Sequence, residues 1–279
     1  MKLFITHESH YVFSEPVSLH PHVFRFRPSE LRTQTICSFS LHIDPTPSGW
    51  IENRDAAGNE VEYAWFGVQA SKFCIKSEME VETHPDNPLD FIIYPFESTH
   101  FPVRYRSDDD VALKPFLHQI AIDNEVTDFA EQVAHESGNA LVPFVLLLMQ
   151  RIYERIKYGV RETGEPLQPR QTLTGGQGSC RDMVVLALAA LRHMGVASRF
   201  VSGYQYISDE TQHDLHAWVE VYFPGGGWRG FDPTTGLTID ERYVRVAAGA
   251  APVNTLPITG SYSGQATSNL DAEVRIRKA

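Results

Sequence analysis

Short apolar runs separated by turn residues dominate the first third of the chain. Apolar alternation marks residues 2–5, 23–26, 36–43, 61–66 and 73–81. Between them stand Pro21, Pro28-Ser29, Pro45-Thr-Pro47-Ser-Gly49, Asp55-Ala-Ala-Gly58-Asn59 and Pro85-Asp-Asn-Pro88. A two-residue period turns one face of a strand inward, and many short strands with regular turns predict an antiparallel β-sandwich over residues 1–106. The pattern changes at Asp108-Asp109-Asp110, an acidic triplet that lacks EF-hand ligand spacing and reads as a solvated linker. Val126, Phe129, Ala130, Val133 and Ala134 then form one helical stripe, starting near Asp123 and closed by Gly138-Asn139. A second helix is expected from about Pro143 to Tyr158, and a polar loop over residues 161–176.

Residues 183–191 are apolar on every side, which predicts a buried helix. Ser179 with Asp182 three positions later makes a capping box, so Cys180 is the first helical residue; Gly195 closes the helix. A strand follows over residues 198–206. His216, Trp218, Glu220 and Tyr222 share one face of the next strand, and residues 228–232 return antiparallel after a glycine-rich turn. Tyr222 opposite Trp228 places Asp232 opposite Trp218, a same-face diagonal neighbour of His216. That register calls for a five-residue loop or a compensating bulge, because a four-residue loop would put Asp232 on the wrong face. Two more short strands are expected after Asp240, one at residues 272–276. The whole reads as α+β, with a core of helices packed on an antiparallel sheet over residues 107–279.

Composition adds exclusions. The chain has 279 residues, 42% of them hydrophobic, and a net charge of −11. That charge argues against a nucleic-acid backbone or an anionic membrane as partner. The longest apolar stretch, residues 140–149, contains Pro143 and is far short of the ~20 residues of a membrane helix. The opening residues lack a signal-peptide pattern, and Cys37, Cys74 and Cys180 are odd in number and widely spaced, which predicts a reduced, cytoplasmic setting. Without CxxC or HExxH, neither a metal nor a cofactor is expected.

Cys37 and Cys74 lie in strand patterns and read as buried structural cysteines. Cys180 differs. Unpaired N–H groups and the macrodipole at a helix N-terminus favour a thiolate, and the preceding glycines let an extended substrate approach. A thiolate nucleophile works with an imidazole and a group that orients it, and His216 and Asp232 occupy suitable positions.

Gly178-Ser-Cys180-Arg-Asp182, Arg199-Phe-Val-Ser-Gly203-Tyr204, His216-Ala-Trp-Val-Glu220 and Gly227-Trp-Arg-Gly-Phe-Asp232-Pro-Thr234 occur in order, and residues 146–236 resemble the core of the bacterial transglutaminase-like family. Residues 1–105, including the Asp55–Asn59 turn, resemble the β-sandwich that precedes this core in many bacterial members. The resemblance implies a papain-like fold with Cys180 as nucleophile, His216 as general base and acid, and Asp232 as orienting carboxylate. It implies acyl transfer through a thioester on a peptide or side-chain amide, by hydrolysis or with an amine acceptor. A binding module that keeps the fold without turnover is the alternative of a different class; a thiol redox or metal protein is a third. The Cys180 N–H is a candidate oxyanion donor, and Gln171, Gln177 and Tyr158 are candidate side-chain donors. Arg181 follows the nucleophile where animal transglutaminases have Trp, so their calcium dependence is not implied. Arg181-Asp182 is expected to serve the helix start. Residues 247–251 depart from the Gly-Arg-Asp stretch of close bacterial relatives, which implies an altered cleft if those charges shape it.

Overall fold

Alternating apolar residues build six strands from the first 83 residues: β1 (Lys2–Leu19), β2 (His22–Phe24), β3 (Gln34–Asp44), β4 (Gly49–Arg54), β5 (Glu60–Trp65) and β6 (Gln69–Thr83). The computed structural model describes residues 1–119, 123–161, 164–209 and 212–279. Along the chain follow α1 (Ser107–Leu117), α2 (Asn124–Glu136), α3 (Leu141–Arg155), β7 (Lys157–Tyr158), α4 (Pro169–Gly175), β8 (Gln177–Gly178) and α5 (Cys180–His193). The last third contains β9 (Ser198–Gln205), β10 (His216–Phe223), β11 (Gly227–Asp232), β12 (Leu237–Thr238), β13 (Tyr243–Gly249), β14 (Ile258–Thr259), β15 (Tyr262–Ser263) and β16 (Ser268–Lys278).

One sheet of the sandwich runs β15-β1-β6-β3 with β16 also on β1; the other runs β14-β2-β5-β4. Phe13, Val17, Phe24, Phe26, Phe73 and Ile75 fill the space between them. The sheets do not divide at residue 107. The last strands of the chain return to the sandwich, and β16 pairs with β1 from Leu3↔Lys278 to Phe13↔Ser268. β4, whose side chains are mostly exposed, completes an edge that apolar alternation alone does not mark.

The acidic triplet is not a linker: Asp108, Asp109 and Asp110 form the first turn of α1. Carboxylates are favoured there because the unpaired N–H groups of a helix start carry partial positive charge. The five-residue stripe of α2 is buried as its spacing requires. The expected polar loop contains α4, which starts at Pro169, and the Gln168 N–H donates to Gln171 Oε1 at 3.1 Å. A single helical turn or two is too short for periodicity to register.

The core sheet has the order β12-β11-β10-β9-β13. Val219, Val221, Phe223, Phe200 and Phe231 of this sheet pack with α5, which α2 and α3 cover on its other sides. Twelve of the 14 residues of α5 are buried, in keeping with its all-round apolar sequence. The register of the hairpin is the one its chemistry needs, with Tyr222↔Trp228 and Val219↔Phe231. One further pair, Phe223↔Gly227, closes it, so three residues turn the chain in place of the expected five. Gly225 and Gly227 supply the tight turn with φ of 79° and 71°, a region costly to a side chain.

The sandwich and the core share a second apolar cluster, in which Leu3, Ile5, Val81, Val274 and Ile276 meet Tyr204 and Val244. β13 is an edge of the core sheet, and unpaired N–H and C=O groups on a buried edge are costly. Two buried amides from the sandwich satisfy them. Gln34 accepts the Arg245 N–H at 2.9 Å and donates to the Arg245 carbonyl at 2.8 Å; Asn59 does the same for Ala248 at 2.8 and 2.9 Å. The Asp55–Asn59 turn aims that amide, because Asp55 Oδ1 accepts the N–H groups of Ala57 and Asn59.

Candidate active site

The capping box at the start of α5 forms. Asp182 Oδ2 accepts the Ser179 N–H and Oγ–H, each at 2.8 Å, while Oδ1 accepts the Leu167 N–H and Arg161 Nη1–H, each at 2.7 Å. Burial pushes this carboxyl up, but its four donors outweigh burial and hold it below the usual range. Arg181 donates to the carbonyl oxygens of Arg161 and Gly164. Both residues therefore fix the helix start and the loop beside it. Cys180 stands at the first helical position, 7% exposed. Among the three cysteines it is the buried one: Cys74 is half-buried, and Cys37 is exposed at a register shift of β3 between Ile36 and Ser38. The expectation that Cys37 and Cys74 are the buried structural cysteines is therefore corrected. A bulge breaks the alternation that would have turned Cys37 inward.

His216 begins β10, and Asp232 ends β11. The His216 Nε2 and Asp232 Oδ2 are 2.8 Å apart, and Cys180 is near enough to the His216 ring to raise its pKa. With Nε2 committed to Asp232, Nδ1 is the nitrogen left for the sulfur. Burial draws the imidazole toward its neutral form. The hydrogen bonds and negative charge of Asp232 and Cys180 outweigh burial and push His216 up to about 10. Asp232 is wholly buried, which raises its carboxyl, and the bonds from His216 and Thr234 outweigh this and bring it down.

Two partners of Asp232 escape sequence reading. Thr234 donates to Oδ1 through its N–H at 2.8 Å and its hydroxyl at 2.7 Å. The Tyr243 hydroxyl donates to Oδ2 at 2.9 Å. The Asp-Pro-Thr spacing carries a signal for the first, as an Asx turn; Tyr243 reaches over from β13 and has none. Trp218, fully buried, lies beside the His216 ring at 6.4 Å between centroids and an interplanar angle of 29°.

The sulfur lies in a cavity of about 340 Å³. Tyr158 lines it, positioned by the parallel pairing of β7 with β8, which sets Tyr158 against Gly178. Burial pushes the Tyr158 phenol up to about 12, and the negative charges of Cys180, Asp214 and Asp232 add to this, so it remains a proton donor. Gln177 is exposed, and Gln171 serves the start of α4, so of those three candidates Tyr158 is the one that lines the cavity. Residues 247–251 do not line it; the Ala250 carbonyl accepts a hydrogen bond from Arg192 at 2.6 Å instead. Among the described residues no cluster of His, Cys, Asp and Glu converges as a metal site.

Comparison with known proteins bears on the fold that holds these residues. Residues 127–233 match the model of the transglutaminase-like superfamily, and residues 3–82 match the bacterial transglutaminase-like N-terminal region. The core of the chain belongs to the transglutaminase-like superfamily. Relatives match over nearly the full length of the chain. An uncharacterized protein of Mycobacterium leprae is 25% identical over 98% of this chain and 98% of its own length. One of Mycobacterium tuberculosis is 26% identical over 98% of this chain and 91% of its own length. The transglutaminase-like fold is shared with the crystal structure of a candidate cysteine protease from Cytophaga hutchinsonii. Its TM-score is 0.73 at 23% identity, covering all of this chain and 91% of that one.

Proposed function

We propose that this protein is a cysteine-dependent acyl-transfer enzyme that hydrolyses peptide or side-chain amides through a thioester on Cys180. The observation that carries the reading is the His216–Asp232 pair, near enough to Cys180 for the sulfur to act on the imidazole, with Cys180 lining the cavity. His216 takes the proton of the thiol as the sulfur becomes the nucleophile. The sulfur attacks the amide carbonyl carbon, and the oxygen takes the negative charge. The Cys180 N–H at the helix start and the Tyr158 hydroxyl are the donors suited to that oxyanion. The C–N bond then breaks, and the leaving nitrogen takes the His216 proton. Water attacks the thioester carbonyl carbon and gives its proton to His216, and the carboxylate product departs as the sulfur is released. Asp232, fixed by its other bonds, keeps the ring in one orientation through both steps.

A peptide library incubated with and without an added primary amine, read by mass spectrometry, tests this. Hydrolysis in both conditions, absent from Cys180→Ser, is the expected result. Amine adducts with release of ammonia would make the protein a transglutaminase. No change in either condition would make it a binding module.

A further inference from the structure

The cavity wall that faces the sulfur is not built by the core alone. His7 comes from β1, and Leu270, Asp271, Ala272 and Val274 come from β16. β16 runs along β1 on one side. On its other side, among the described residues, the sole bridge is His213↔Val274. The segment 268–272 thus leaves an unpaired sheet edge beside Cys180, and its residues are exposed.

The direction of its main-chain groups follows from the ladder. The Ala279 N–H donates to the Lys2 carbonyl, and the Ser14 N–H donates to the Thr267 carbonyl, each at 3.0 Å. The register between β1 and β16 is unbroken, so odd-numbered residues of β16 turn their N–H and C=O toward β1. Lys278 turns the other way and donates its N–H to Asp209 Oδ1 at 2.9 Å. Leu270 and Ala272 have the parity of Lys278. They present two N–H and two C=O groups along the cavity, at the spacing with which an antiparallel strand pairs. The apolar side chains of Leu270, Ala272, Leu215 and Val160 line the same cavity.

We propose that the substrate is an extended polypeptide that adds as a further strand to the edge of β16 at Leu270 and Ala272. The sandwich then holds the main chain while the core attacks it. The inference rests on Cys180 as the reacting atom, and it names the substrate class: a chain with free amides on both sides of the scissile bond or side chain, not a small isolated amide.

Covalent labelling of Cys180 tests it without a known substrate. The probes are iodoacetamide, which has no main chain to pair, and acetylated alanine chloromethyl ketones of one to four residues. The rate with the ketones is expected to rise at least about tenfold from the shortest to the longest, as two or more hydrogen bonds are gained. N-methylation of the amides in the longest ketone removes that gain. Ala272→Pro deletes an outward N–H and leaves the bonds to β1; it lowers the rate with the longest ketone about tenfold and changes the iodoacetamide rate less than about twofold. A flat length series, or a gain untouched by N-methylation, with iodoacetamide still reacting, overturns the docking edge and leaves the nucleophile reading standing. A sulfur inert to both reagents overturns the two together.

Discussion

Asp232 receives four hydrogen bonds, two on each oxygen, from His216, Tyr243 and both donors of Thr234. The share borne by each residue decides what its loss does. Tyr243→Phe removes one charged-acceptor bond and leaves the others, so kcat/KM should fall by about tenfold, while His216→Ala should abolish turnover. A Tyr243→Phe enzyme with unchanged kcat/KM would show that this hydroxyl does not hold the carboxylate in place. His7 and His216 respond to pH with opposite signs. Burial pulls His7 down to about 4, so its contribution to stability is whole above ~6.5 and is lost as pH falls toward 4. His216 is raised to about 10, so its contribution is whole below ~6.5 and is lost as pH rises through 10. Urea unfolding across pH should therefore show an acid-side loss that His7→Gln flattens and an alkaline loss that Cys180→Ala and His216→Gln change. At this scale the helix-start position of Cys180 and the pairing of His216 with Asp232 were legible, because a capped helix and a strand register each leave a local pattern. Tyr243 and the packing of His7 on the cavity were not, since their partners are brought near only by tertiary structure.

Among elements, the junction of β9, β10 and β13 positions the imidazole. Gly203 lies opposite His216, and a Cβ there would come within 2.1 Å of the Val244 carbonyl oxygen and 2.7 Å of the Trp218 ring. Gly203→Ala should cost about 1–3 kcal/mol by urea titration and lower kcat/KM, because Trp218 must leave its place beside His216. Stability equal to that of the unaltered protein would mean that this packing has slack. The hairpin register was legible, since His216 and Asp232 must share a face and only one parity allows it. Its loop length was not, because a pair can be added at the turn without altering that parity. α1 and α4 were missed for opposite reasons: three acids at a helix start look like a linker, and α4 is too short to show a period. The bulge at Cys37 likewise broke an alternation that the sequence continues.

For the whole molecule, sandwich and core are joined through a shared apolar cluster and through two amides that complete a sheet edge. Gln34→Leu leaves the Arg245 N–H and C=O without partners, at a cost of about 1–3 kcal/mol for each group. Because the two parts share a core, they should unfold in one transition by calorimetry, in the altered protein as in the original. Two resolved transitions would mean that the contact is weaker than its burial implies. The return of β16 to β1 was not legible, because residues more than 250 positions apart pair there and the division near residue 107 follows composition rather than strand pairing. Its result is that a cavity assigned to the core is walled by both ends of the chain.

The coupling of the Cys180 sulfur to a His216 imidazolium is tested most directly by the rate of iodoacetamide modification at ~pH 6, where an ordinary thiol is almost wholly protonated. The account predicts fast modification confined to Cys180, slowed at least about tenfold in His216→Ala, with Cys37 and Cys74 unreacted. Slow, unselective modification of all three cysteines, indifferent to His216→Ala, would contradict it.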